Sequence, residues 1–210
     1  MKIIQPSYEI LTPISEGGID ELKKIELIGR SCYGSEDKIT EDSAKDFVRG
    51  LIKRGHGSPI EHGSITVRFI IDRGVSHEFV RHRLASFMQS STRYLNYGTD
   101  KYDHEITVID IDPFVPRDTP AYDNWLDSCM SAEAHYLAML EAGCKPEMAR
   151  SVLPNSLMTN LTITANYREW RHILDLRCSE RAHPQIQQVC RPLLDELRER
   201  LPVLFDDISY

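Results

Sequence analysis

Three arginines fall within 13 residues, at Arg81, Arg83 and Arg93, and the stretch before the last of them is the amide and hydroxyl run Gln89-Ser90-Ser91-Thr92. A guanidinium group is a planar fork that holds a phosphate or a carbonyl edge bidentately. Serine hydroxyls and loop N–H groups add uncharged donors for the same oxygens. Together these residue types indicate capture of an oxygen-rich anion. On a helix Arg81 and Arg83 point about 200° apart, so both meet one ligand only where the helix ends or the ligand is large. On charge alone, a solvated basic turn is the favoured reading.

Arg177 is the second candidate. Trp170, Ile173 and Leu174 form the apolar stripe of a helix, and Arg177 lies three and four residues beyond the last two, on the same face. An arginine aimed inward must find an anion, either an internal carboxylate or a ligand. Arg150, shortly before Pro154, offers a second cation. Arg168 and His172 are four apart and share another face of the same helix, with Asn166 at the N-cap position, where a helix start can receive an anionic or carbonyl group.

The third candidate is His56-Gly57-Ser58-Pro59-Ile60-Glu61-His62, an imidazole, a hydroxyl and a carboxylate in one loop, which also reads as a plain Ser-Pro connector. His77-Glu78-Phe79-Val80-Arg81-His82 imitates the zinc-protease helix H-E-x-x-H but holds one residue too many. Histidines at i and i+5 point about 140° apart, so no metal is expected. Walker loops, G-x-G-x-x-G turns and G-x-S-x-G elbows are missing from the sequence.

Periodicity supplies the elements that must position these residues. Apolar spacing predicts helices over 19–33 and from Thr40, a possible N-cap, to Ile52, then a strand over 65–71. Ser76 is placed as the cap of a helix carrying Phe79, Val80 and Leu84, and 89–94 as a loop. Ile106–Ile109 reads as a short strand, Thr119-Pro120 opens a long helix closed by Gly143, and Pro146 opens a short one. Alternation over 157–165 gives a strand, followed by helices over roughly 167–179 and 185–200. Strands and helices without a regular βαβ beat predict an α+β fold, a single domain over 1–210 with a mixed or antiparallel sheet packed by helices.

Composition narrows the function. The chain has 210 residues, 41% hydrophobic, and a net charge of −7. That is an ordinary globular protein, without a membrane span and ill suited to nucleic acid. The N-terminus does not read as a secretory signal, so the cytoplasm is expected. Five cysteines without a C-x-x-C pair read as buried thiols.

Taken together, Arg81-His82-Arg83 followed by seven residues and Ser91, with Ser86, Arg93 and Tyr94 in register, resembles the signature of the flavin-dependent thymidylate synthases. H-x-x-P-x-E-H from His56 to His62 precedes it. R-x-V-L-P from Arg150 to Pro154, Asn166-x-Arg168 and Leu176-Arg177 follow in the expected order. The resemblance implies reductive methylation of dUMP to dTMP, with the carbon from 5,10-methylenetetrahydrofolate and electrons passed from NADPH through FAD. It also implies a homotetramer whose active sites form at subunit junctions. By position, Ser58, Arg81, His82, Arg83, Gln89, Asn166, Arg168 and His172 are implied at the flavin, with His56 and Glu61 as further members. Glu78, Phe79, Val80, Arg81, Gln89, Ser90, Ser91, Thr92, Arg93, Arg150 and Arg177 are implied at the nucleotide.

Under this resemblance Arg177 is the catalytic residue, stabilising negative charge on the uracil edge, while Ser91, Arg93 and Arg150 serve phosphate and ribose. A synthase of the unrelated kind needs a cysteine nucleophile, and Cys178, although next to Arg177, has no evident base. Glu78 stands where some members have glutamine, and Met88 where a polar residue is common. The rival readings are a nucleic-acid module built on Arg81, Arg83 and Arg93, a flavoprotein of the same fold with another substrate, and a structural protein with Arg177 ion-paired.

Overall fold

The computed structural model describes residues 1–210. In chain order its elements are β1 (Lys2–Ile4), β2 (Ser7–Ile10), α1 (Ile19–Ser31), α2 (Ser43–Lys53), β3 (Ser64–Asp72), α3 (Arg73–Phe79), β4 (Ala85–Gln89), β5 (Thr107–Ile109), α4 (Pro120–Glu141), α5 (Pro146–Ala149), β6 (Met158–Asn166), α6 (Tyr167–Cys178) and α7 (Pro184–Arg200), with short 3-10 turns between them. One sheet has the order β2-β3-β6-β4, and β1 pairs in parallel with β5 in a second, two-stranded sheet. The α+β class expected from the sequence is the one observed.

Contacts gather into two compact units, one of Met1–Ser7, Phe69–Arg81 and Phe87–Thr162, the other of Tyr8–Arg68, His82–Ser86 and Ile163–Tyr210. The first is built around Tyr97, Ile106, Val108, Cys129, Tyr136, Ala149 and Leu157. In it α4 starts where Pro120 follows a threonine cap, the Thr119 hydroxyl accepting from the Tyr122 N–H at 3.3 Å, and the left-handed Gly143 (φ +86°) stops the chain just past its end.

In the second unit α6 buries Trp170, Ile173, Leu174 and Cys178, and α7 buries Ile186, Val189, Cys190, Leu193, Leu194 and Leu197. Those two stripes pack on each other, and the Trp170 indole N–H donates to the Ile65 carbonyl at 2.9 Å, tying α6 to β3. A side chain at Gly63 would place its Cβ 2.0 Å from the Tyr167 ring, so only glycine lets the chain run this close to the start of α6.

Four local expectations change. The cap of α3 is Asp72, whose carboxylate accepts from the Val75 N–H at 2.7 Å, whereas Ser76 is buried inside the helix and donates to the Arg73 carbonyl. The helix ends at Phe79, so Val80 and Leu84 lie outside it and Arg81 and Arg83 escape the divergence a helix imposes. Thr40 does not cap α2, which begins at Ser43. Of the five cysteines, Cys32 and Cys144 are exposed and the other three buried, so the buried reading holds for three.

Candidate active site

In the second unit, β6 ends at Asn166 and α6 begins at once, with the Asn166 side chain accepting from the Glu169 N–H at 2.8 Å. This cap fixes the first turn of α6 and therefore the directions of Arg168, Glu169 and His172. Arg168 reaches Glu61 at 2.6 Å and lies across the loop at Gly57, where an added Cβ would sit 2.8 Å from its Nε. Glu61, Leu84, Asn166, Arg168, Glu169 and His172 line a cleft of about 510 Å³, a size suited to a cofactor-scale ligand. His56 and Ser58, on the same loop as Glu61, are exposed, as is Arg83.

His82 is the organising residue. It is only 4% exposed, its ring meets the His172 ring edge-on at 5.5 Å, and its Nε2 accepts from the Arg177 Nε–H at 3.0 Å. An arginine N–H is always a donor, so Nε2 holds the lone pair and the ring proton sits on Nδ1. That nitrogen faces the Glu169 carboxylate at 3.6 Å. Burial, with help from the charges of Arg177 and His172, lowers the His82 pKa to about 4. The ring is therefore neutral at pH 7, and the Glu169 contact is carboxylate to ring N–H rather than an ion pair.

His82, Glu169 and His172 bring possible metal-ligand atoms within 4.8 Å of one another. The lone pair on His82 Nε2 is already taken by Arg177, whose fixed positive charge stands where it repels a cation. This chemistry suits an organic ligand with carbonyl and amide edges better than a metal. Beside Arg177, Cys178 is fully buried, and burial pushes its thiol up to about 12, so no thiolate nucleophile is present there.

The first unit assembles a different set. Ser90 N–H donates to the Asn160 carbonyl at 2.9 Å, and the Ser91 carbonyl accepts from Tyr94 and Leu95 at 3.0 Å, turning the chain after β4. The Gln89 amide nitrogen donates to Ser76 at 2.8 Å and to Thr159 at 3.3 Å. Arg150 donates to the buried Thr92 hydroxyl at 3.3 Å, and Arg93 approaches Glu147 at 3.8 Å and its neighbour Tyr94 at 5.6 Å. Phe79 is fully buried against Phe69, with ring centroids 4.8 Å apart, so its side chain is core and only its backbone is left for a ligand. Val80 and Arg81 are exposed and Glu78 is half-buried.

A family model described as Thymidylate synthase complementing protein matches residues 19–203. The chain belongs to this family. Similar relatives include the flavin-dependent thymidylate synthases of Corynebacterium aurimucosum, 32% identical over 92% of this chain and 82% of the relative, and of Geobacter sulfurreducens, 32% identical over 87% and 80%. A crystal structure of the UMP/dUMP methylase PolB from Streptomyces cacaoi bound with 5-Br dUMP superposes with a TM-score of 0.77 at 24% identity, covering 98% of this chain and 96% of that one, which bears on the fold.

As a member of the thymidylate synthase complementing family, the chain keeps its sequence-predicted site residues in two groups. His82, Arg83, His56, Ser58, Glu61, Asn166, Arg168, His172 and Arg177 belong to the second unit; Glu78 to Arg81, Gln89 to Arg93 and Arg150 belong to the first. Sequence reading missed Glu169. Its signal was present, since an acidic residue three after an asparagine cap is the capping-box spacing. That pattern points the carboxylate back at the cap, whereas here it lies toward His82.

Proposed function

We propose that the chain converts dUMP to dTMP by reductive methylation, with FAD as its flavin, 5,10-methylenetetrahydrofolate as carbon donor and NADPH as the source of electrons. Membership of the family and the names of its relatives support the reaction. The observation that carries the reading is Arg177, half-buried and fixed through His82, next to a cysteine too buried to ionise. A site built to methylate uracil without a covalent thiol needs a fixed cation at the ring edge and no nucleophile.

The residues of the second unit fit a flavin, because the cleft at Asn166, Arg168 and His172 has the volume and the donor set for a carbonyl-rich ring system. A bound flavin supplies hydride to the uracil-derived carbon. Arg168 and the start of α6 hold its polar edge, and Arg177 stabilises charge developing on the uracil. Ser91, Arg93 and Arg150 grip phosphate and ribose, Ser91 serving as an orienting donor. The sites are completed at the junctions of a homotetramer. The 1–210 chain acts as one catalytic domain, in the cytoplasm; no helix is long and apolar enough to cross a membrane.

The test is the visible spectrum of the purified protein incubated with FAD, followed by assay of dTMP formed from dUMP, methylenetetrahydrofolate and NADPH, with UMP in parallel. Stoichiometric flavin and dTMP formation are expected. Bound flavin without dTMP would favour another substrate, and no bound flavin would overturn the reading.

A further inference from the structure

We propose that Glu169 is a positioning residue for Arg177, acting through His82. The inference rests on the reading of Arg177 given above and deepens it. Three groups are in succession: the Glu169 carboxylate is 3.6 Å from His82 Nδ1, and His82 Nε2 is 3.0 Å from Arg177 Nε. A neutral imidazole carries one proton on either nitrogen, and only the Nδ1–H form can accept from the guanidinium. A carboxylate facing Nδ1 favours that form electrostatically; without it the ring could flip or shift its proton to Nε2, setting N–H against N–H. Glu169 thus selects the tautomer that holds Arg177.

The surroundings make that selection tight. Glu169 and His82 are both buried, at 7% and 4% exposure, so water does not compete freely for either ring nitrogen. The Glu169 backbone is anchored by the Asn166 cap, and the His172 ring borders His82 edge-on, limiting its rotation. The arrangement places a carboxylate, an imidazole and a guanidinium in series, in which the middle group transmits orientation without being charged.

The experiment compares Glu169→Ala, Glu169→Gln and Glu169→Met in the flavin-loaded enzyme, with folding checked by flavin content and thermal midpoint. Glutamine keeps an acceptor oxygen for Nδ1–H and methionine keeps only the volume. Glu169→Ala and Glu169→Met are expected to lower kcat about ten- to a hundredfold with the KM for dUMP little changed, and Glu169→Gln to recover most of the rate. In an Arg177→Lys background, Glu169→Ala is expected to add little, because the two act as one unit.

Nitrogen NMR of ring-labelled histidine reads the tautomer without turnover. His82 is expected as Nδ1–H in the wild type and mixed or reversed in Glu169→Ala. Equal activity of the methionine and glutamine variants, or a full multiplicative loss on top of Arg177→Lys, would overturn the role, as would an Nε2–H ring in the wild type. Full activity of Arg177→Lys alone, with the Nδ1–H ring intact, would instead sink the reading of Arg177 and leave the tautomer selection standing.

Discussion

Two arginines of this protein are held in opposite ways. Arg177 leaves a buried helix stripe, is half-buried, and donates at 3.0 Å to an imidazole that is itself almost completely buried. Arg93 sits in an exposed turn, where its nearest carboxylate is 3.8 Å away and its other contact is the ring of its own neighbour. A donor meant to stabilise developing charge gains by being fixed before the reaction, since no reorganisation is then needed. A donor meant to catch a phosphate has to admit and release it, and a loosely held exposed side chain does this at little cost in stability. Arg150 is intermediate: it is exposed, but it donates to a buried hydroxyl.

The comparison breaks most easily at Arg177. Arg177→Ala is expected to lower kcat about a hundred- to a thousandfold, about 3 to 4 kcal/mol, with flavin content and thermal midpoint retained; steady-state kinetics with dUMP measure it. Arg150→Ala is expected to raise the KM for dUMP by about 1.5 to 3 kcal/mol, the range for a hydrogen bond to a charged group, with a smaller change in kcat. If Arg150→Ala instead lowers kcat as far as Arg177→Ala does, the division of labour between fixed and loose arginines fails.

Acid sharpens the contrast from the His82 side. The native pKa of His82 is lowered to about 4 from its ordinary 6.5, so the unfolded chain takes up a proton that the native site refuses. Stability is therefore complete above pH 6.5 and falls as the pH drops toward 4, by at most about 1.4 kcal/mol per pH unit from this group. Urea midpoints at pH 7, 6 and 5 should show the slope in the wild type and a reduced slope in His82→Asn. The smallest effect belongs to Arg93→Ala, a change in dUMP affinity of about 0.2 to 1 kcal/mol that shrinks with added salt, as for an exposed charge. Titration at low and high salt checks it.

Local signals told most of the scaffold. Thr119-Pro120 and Gly143 bracket α4, and the Trp170, Ile173, Leu174 spacing identifies the face of α6 from which Arg177 departs. Both need only neighbours in sequence. β1 escaped notice because its three residues pair with β5, about a hundred positions away, and such a partner leaves no mark on local alternation. The α3 cap was misassigned because Asp72 reads as the last residue of a strand, a role it also has. In the candidate site, the sequence offered the motif residues by type and spacing. The way His82 joins Glu169, His172 and Arg177 was not legible, because that cluster forms only when the segment after α3 meets α6.

The most direct measurement is a single anaerobic turnover of the flavin-reduced enzyme with dUMP and methylenetetrahydrofolate, following flavin oxidation and dTMP together in the wild type and in Arg177→Ala. The wild type should oxidise its flavin in step with dTMP formation, and Arg177→Ala should bind both flavin and dUMP yet do neither at a comparable rate. Wild-type rates in Arg177→Ala would contradict the assignment of this half-buried arginine to the chemistry.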